Sequence, residues 1–118
     1  MDYFNYDDHH MMVEQVSLAT IAREVGTPVY AYSRATLERH ARIFQEAVAQ
    51  AGAVKCAFAV KANPNLAVLG VMARMGYGAD VVSAGELERA ITAGMRPEDT
   101  VSSGGGNTQH KTRLAPER

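Results

Sequence analysis

Lys55-Cys56-Ala57-Phe58-Ala59-Val60-Lys61-Ala62-Asn63-Pro64-Asn65 is a short apolar run that ends in a lysine and turns at once into a helix start. An apolar run of this length reads as a strand, here Lys55 to Val60, and Asn63 followed by Pro64 supplies an N-cap and a first-turn residue. Side chains alternate along a strand. Cys56, Phe58 and Val60 therefore share one face, and Ala57, Ala59 and Lys61 share the other. The second face is small, small, then cationic. It leaves room for a ligand beside an amine, and a desolvated lysine can lose its proton and attack a carbonyl carbon. The plain alternative is a solvated lysine that does no more than end a strand.

A second junction has the same form. Gly78-Ala79-Asp80-Val81-Val82-Ser83-Ala84-Gly85-Glu86-Leu87 is a short strand running into a helix, with Asp80 where an apolar residue is expected. Elements of this kind alternate along the chain. Residues 1 to 16 read as a mixed leader. Ser17 can cap a short helix that buries Leu18, Ile21, Ala22 and Val25 and is stopped by Gly26 and Pro28. Val29 to Tyr32 reads as a strand. Ser33 caps a long helix with Leu37, Ala41, Phe44 and Val48 on one stripe, ended by Gly52. After the Lys55–Val60 strand, a helix from about Pro64 to Met75 turns Leu66, Val68, Leu69 and Met72 inward. The Gly78–Val82 strand leads to a helix from about Ala84 to Ala93, with Leu87, Ala90 and Ile91 inward. Thr100 to Ser102 reads as the next strand. Strands alternating with helices imply parallel pairing through right-handed crossovers. Ionisable groups at two strand-to-helix junctions then point to one polar site at the strand ends.

Phe58-Ala59-Val60-Lys61-Ala62-Asn63 and the Gly78–Leu87 segment closely resemble the amino-terminal part of the diaminopimelate decarboxylase family. Gly26-Thr27-Pro28-Val29-Tyr30-Ala31-Tyr32-Ser33-Arg34-Ala35-Thr36-Leu37 is similar to that family's approach to its first helix, and Tyr3-Phe4-Asn5-Tyr6 fits its start. The resemblance covers about residues 3 to 101. It implies an α/β fold: the first strand-helix units of a (β/α)8 barrel of the alanine-racemase-like type. The amino-terminal segment would pack on a later β domain. The expected division is 1–33 for a leader, short helix and strand, 34–101 for the barrel units, and 102–118 for a frayed, truncated tail. A complete barrel typically needs about 250 residues, so 118 residues are expected to be the front portion of an enzyme. The true start is open between Met1, Met11 and Met12.

The resemblance also implies the chemistry. Lys61 matches the lysine that holds pyridoxal 5'-phosphate as a Schiff base. Asp80 matches an acidic residue near that lysine and the cofactor, and Ala59 lies on the same strand face. Glu86 matches a position toward the mouth of the site. The implied reaction removes one carboxylate from meso-2,6-diaminopimelate to give L-lysine and carbon dioxide, in a homodimer. Related decarboxylases act instead on ornithine, arginine or carboxynorspermidine, and a non-catalytic piece is a further alternative. Two of these residues have structural readings as well. Asp80 can bond to backbone amides at a strand end. Ser83-x-x-Glu86 is a capping box, in which Glu86 bonds back to the Ser83 amide. Asn63 can line the site or cap the helix.

Composition bounds the rest. Net charge is −1, with 47% hydrophobic and 21% charged residues, so nothing is basic enough to suggest nucleic acid. No run approaches the roughly 18 apolar residues of a membrane span. The acidic, polar start is no signal peptide, and the single cysteine, Cys56, reads as a buried thiol, which fits a cytoplasmic protein. His9-His10, His40 and His110 have no metal-ligand spacing, and no metal is expected. Met72 and Met75 read as core filler. In the tail, Ser103, Gly104, Gly106 and Thr108 fit a family pattern Ser-Gly-x-Gly-Lys-Thr, while Asn107 stands where lysine is usual and Ser102 where a bulky apolar residue is usual. The glycine triplet could cradle a phosphate but lacks P-loop spacing.

Overall fold

The computed structural model describes residues 2–103. The glycine triplet, His110 and the rest of 104–118 lie outside the described residues. The chain divides between His40 and Ala41 into two compact units.

The first unit begins with a three-stranded antiparallel sheet, β1 (Phe4–Asp7), β2 (His10–Val13) and β3 (Val16–Ser17), in that order. Much of the segment read from sequence as a mixed leader is therefore strand. The turns hid this. Asp8, His9 and Glu14 all take positive φ (44°, 67° and 55°). That backbone suits tight hairpins, but no glycine marks it in the sequence. Helix α1 (Leu18–Val25) follows, and Gly26 at φ +96° ends it with its amide on Ala22 O. Ser17 occupies the N-cap position but makes no side-chain cap bond. Val25 is 70% exposed rather than inward. Val29–Tyr32, expected as a strand, pairs with no strand among the described residues. Its Tyr30 and Tyr32 rings stack on each other with centroids 6.5 Å apart.

Helix α2 (Arg34–Ala49) starts at Ser33, which is 3% exposed. Ser33 Oγ accepts from the Thr36 amide at 3.0 Å, the cap expected, and donates to Glu14 Oε1 at 2.8 Å. The same Glu14 oxygen accepts from the Ala35 amide at 2.7 Å. A carboxylate at a helix N-terminus also meets the positive end of the helix dipole. Glu14 thus ties the β2–β3 turn to the start of α2.

The second unit holds a parallel sheet, β4 (Ala57–Ala59), β5 (Gly78–Val81) and β6 (Thr100–Ser102), in that order. Helix α3 (Leu66–Arg74) connects β4 to β5, and α4 (Ala84–Thr92) connects β5 to β6. The parallel strand-helix alternation read from sequence is present. One sheet face is covered. Ala79 and Val81 are 0% and 1% exposed, and they pack with Cys56, Val60, Leu69, Met72, Leu87 and Ala90 in one core. Burying a leucine such as Leu69 or Leu87 stabilises by about 1.5–3 kcal/mol. Tyr77 lies in this core and donates its hydroxyl to Ala41 O at 2.9 Å, and burial pushes that phenol above its usual range.

Three expected core residues point outward: Phe44, Leu66 and Ile91 are 56%, 42% and 39% exposed. Three short strands offer a surface narrower than the apolar stripes of their helices, so the outer edge of each stripe has nothing to pack on. The expected strand from Lys55 is ordered as β4 only from Ala57, and after Ala59 the chain enters a 3-10 turn, Val60–Ala62. The cap of α3 is Asn65 rather than Asn63. Its Oδ1 accepts from the Ala67 and Val68 amides. Asn63 instead accepts from the Asn65 amide at 3.1 Å.

At the starts of the strands, Asp99 joins Lys55 at 2.7 Å and Arg96 at 2.9 Å. The Arg96 bond first, then Lys55, holds the Asp99 carboxyl below its usual range. The backbone of Asp99 passes so close to Gly78 that a Cβ there would lie 1.9 Å from Asp99 O. No rotation of a side chain relieves a clash with backbone.

Two outcomes follow from these contacts. Gly78→Ala should lower the chain's stability by about 3 kcal/mol, an overpacking cost. Gly85→Ala, where a Cβ meets nothing within 4 Å, should be neutral or stabilising by up to about 1 kcal/mol. Urea unfolding of both variants checks this, and equal midpoints would show that Asp99 yields freely. The second outcome concerns acid. The Ala35 amide, then the Ser33 hydroxyl, hold the Glu14 carboxyl below the usual 4.5. A depressed folded value means that the stabilisation is complete above about pH 4.5 and is lost as pH falls through the folded value. Glu14→Gln should flatten the acid limb of the unfolding-midpoint-against-pH curve, and an unchanged limb would remove Glu14 from this role.

Candidate active site

Parallel pairing decides which residues meet. β4 and β5 align with Ala57 beside Gly78, Phe58 beside Ala79 and Ala59 beside Asp80. β5 and β6 align with Asp80 beside Val101 and Val81 beside Ser102. Paired residues project from the same face and alternate residues from opposite faces. Phe58, Ala79 and Val81 therefore point into the core, and Ala57, Ala59, Asp80 and Val101 point to the other face. Ala57 is exposed, Ala59 and Asp80 are half-buried, and Val101 is 44% exposed. Asp80 is thus a half-buried carboxylate between an alanine and a valine on this second face.

Lys61 lies just past β4, in the 3-10 turn, and is exposed. It makes no ion pair with another described residue. Its amine is therefore available to an incoming group. The structure makes no ion pair between Lys61 and Asp80. Asp80 Oδ1 instead accepts from the Ser103 hydroxyl.

Glu86 is half-buried in the first turn of α4. The Glu86 amide donates to Ser83 Oγ at 3.2 Å, and Glu86 Oε2 accepts from the Val82 amide at 2.8 Å. The capping box forms with one change: the carboxylate reaches Val82, one residue before the expected Ser83 amide. Arg89 donates to Pro64 O at 3.3 Å and links α4 to the loop after β4.

The structure brings Ala59 and Asp80 side by side and sets Lys61 and Glu86 at the two strand-to-helix junctions that flank them. Ser103 was seen in the sequence only as part of a tail pattern. Its register one step past β6 was the signal available. His9 and His10 belong to the first hairpin and His40 to α2. Among the described residues no group of three or more His, Cys, Asp or Glu could hold a metal ion. Met72 is 6% exposed and Met75 packs against the core. Two hollows exist elsewhere. One of about 290 Å³ is lined by Lys55, Tyr77, Arg96 and Asp99 at the strand starts, and one of about 420 Å³ by Asp7, His10, Ser17 and Arg23 in the first unit. Neither includes Lys61.

An exposed amine at the end of a small-residue strand face, with a carboxylate on that face, fits an aldehyde-bearing cofactor held through nitrogen. The comparisons with known proteins agree. Over 116 residues the chain is 51% identical to a diaminopimelate decarboxylase of Vibrio cholerae, covering 98% of this chain and 28% of that protein. It is 40% identical over 111 residues to one from Archaeoglobus fulgidus, covering 94% and 26%. A solved structure of M. jannaschii diaminopimelate decarboxylase in complex with L-lysine superimposes with TM-score 0.84 at 28% identity, covering 97% of this chain and 27% of that one. A solved protein from Aquifex aeolicus gives 0.87 at 35% identity, covering 95% and 27%. The chain thus spans about 28% of the length of the curated relatives it matches, and its α/β units are an amino-terminal piece of the alanine-racemase-like barrel. Residues 34–118 match the pyridoxal binding domain of the pyridoxal-dependent decarboxylases, and the chain belongs to that family.

Proposed function

We propose that this chain supplies the lysine-bearing front of a decarboxylase that converts meso-2,6-diaminopimelate to L-lysine and carbon dioxide. The observation that carries it is Lys61, exposed and without an ion pair to another described residue, at the end of a strand whose second face is Ala57, Ala59 and the neighbouring Asp80. The names of the relatives support diaminopimelate over ornithine, arginine or carboxynorspermidine as substrate. L-lysine in the M. jannaschii complex is the product this reading requires. Residues 34–101 would carry the barrel units, with 1–33 before them and 102–118 after.

When bound, pyridoxal 5'-phosphate accepts the electron pair left behind as the carboxylate departs as carbon dioxide. Lys61 Nζ would hold the cofactor covalently. Ala57 and Ala59 leave the face beside that amine free of bulk. Asp80 presents a carboxylate there, able to hold a proton or a cation. Glu86 fixes the start of α4 at the mouth of the site through the Val82 amide, and its remaining oxygen can accept from a substrate. The whole enzyme would act as a cytoplasmic homodimer, and among the described residues no helix is long and apolar enough to cross a membrane.

Joining this chain to the remaining length of the Vibrio cholerae relative tests the reading. The fusion with cofactor should release carbon dioxide from diaminopimelate, and borohydride should fix the cofactor on the peptide holding Lys61. Lys61→Ala should lower the rate by on the order of 1,000-fold and abolish that label. Labelling that persists in Lys61→Ala would refute the assignment. The 118-residue chain alone should release no carbon dioxide above its own Lys61→Ala control, because catalysis needs an enclosed, preorganised site; measurable release would contradict that requirement.

A further inference from the structure

Ser103 is the first residue past β6, and both of its hydrogen-bond donors engage β5. Its amide donates to Val81 O at 3.2 Å, extending the ladder by one step. Its hydroxyl donates to Asp80 Oδ1. Asp80 has Ala59 on one side and Val101 on the other. Neither carries a polar side chain, and none of the ion pairs of the described residues includes Asp80. Among the described residues, the Ser103 hydroxyl is therefore the group that sets the orientation of this carboxylate. A hydroxyl has one proton to give, so it engages one oxygen and leaves Oδ2 as a full acceptor. The hydroxyl is itself well placed, because the Ser103 backbone is fixed by Val81 rather than by a loop of its own.

We propose that Ser103 is a positioning residue for the reaction: it occupies Oδ1 of Asp80 and so presents Oδ2 to the cofactor or the substrate amine. The proposal rests on the decarboxylase reading above. A carboxylate released from this bond rotates about its side-chain torsions, and the share of molecules with Oδ2 in place falls. Loss of one hydrogen bond to a charged group should lower kcat by about tenfold to 100-fold.

Two measurements test it. In the 118-residue chain labelled with 13C at aspartate, Ser103→Ala should shift the carboxyl carbon resonance of Asp80, and Ser102→Ala should leave it in place. Unfolding midpoints of the two variants identify any general loss of structure. In the fusion with the Vibrio cholerae relative, Ser103→Ala should lower kcat with KM little changed, and Ser103→Thr, which keeps the hydroxyl, should restore kcat. An Asp80 resonance indifferent to Ser103→Ala, or an active fusion whose kcat is indifferent to it, would overturn the proposal alone. A fusion inactive with Ser103 intact would overturn the decarboxylase reading and the positioning role with it. The resonance, read with no cofactor present, would still report the hydrogen bond.

Discussion

The alignment of Ala57, Phe58 and Ala59 beside Gly78, Ala79 and Asp80 is the constraint on which the second unit depends. Because side chains alternate with a period of two, one register settles two matters at once. It sends Phe58, Ala79 and Val81 into the core with Leu69 and Leu87. It also sends Ala59 and Asp80 to the second face, next to the turn that carries Lys61. A slip by one residue would place a carboxylate against the covering helices and an apolar face in solvent. Gly78 protects the register, since only a residue without Cβ lets the Asp99 backbone pass.

The two ends of the sheet are built from different interactions. At the strand starts, Lys55, Arg96 and Asp99 satisfy one another across the segments leading into β4 and β6. At the strand ends, among the described residues, the polar groups bind backbone or one another in ways that leave capacity over: Asp80 keeps an oxygen, Glu86 keeps an oxygen and Lys61 keeps its amine. Barrel enzymes place their reactive groups at the carboxyl ends of the strands and stabilising residues at the other end. The division here follows from which residues can find partners within three strands.

Much of this was legible in the sequence. Alternating apolar runs and helix-period stripes gave the parallel units, and Thr100–Ser102 was placed as a strand from its spacing alone. Lys61 and Asp80 were visible because ionisable residues at strand ends interrupt an apolar pattern. The amino-terminal sheet was not legible, because its strands are two to four residues long and its turns put Asp8, His9 and Glu14 at positive φ without glycine. The Glu14–Ser33 bond was invisible for another reason: it joins residues 19 apart through a fold that the sequence had not revealed. Asn65 displaced Asn63 as the cap because the 3-10 turn after β4 delays the helix by two residues. Val29–Tyr32 has strand-like composition, but a strand also needs a neighbour. Phe44, Leu66 and Ile91 lie at the edge of stripes that three strands are too narrow to cover.

The register itself is open to direct measurement. Nuclear Overhauser contacts in the isotope-labelled 118-residue chain should link Phe58 with Ala79 and Ala59 with Asp80 across the strand pair, with the β5 amides slow to exchange. Contacts linking Ala59 with Ala79 instead would mean a one-residue slip. The core face and the candidate site would then both be assigned to the wrong residues, and this account of the chain would be contradicted.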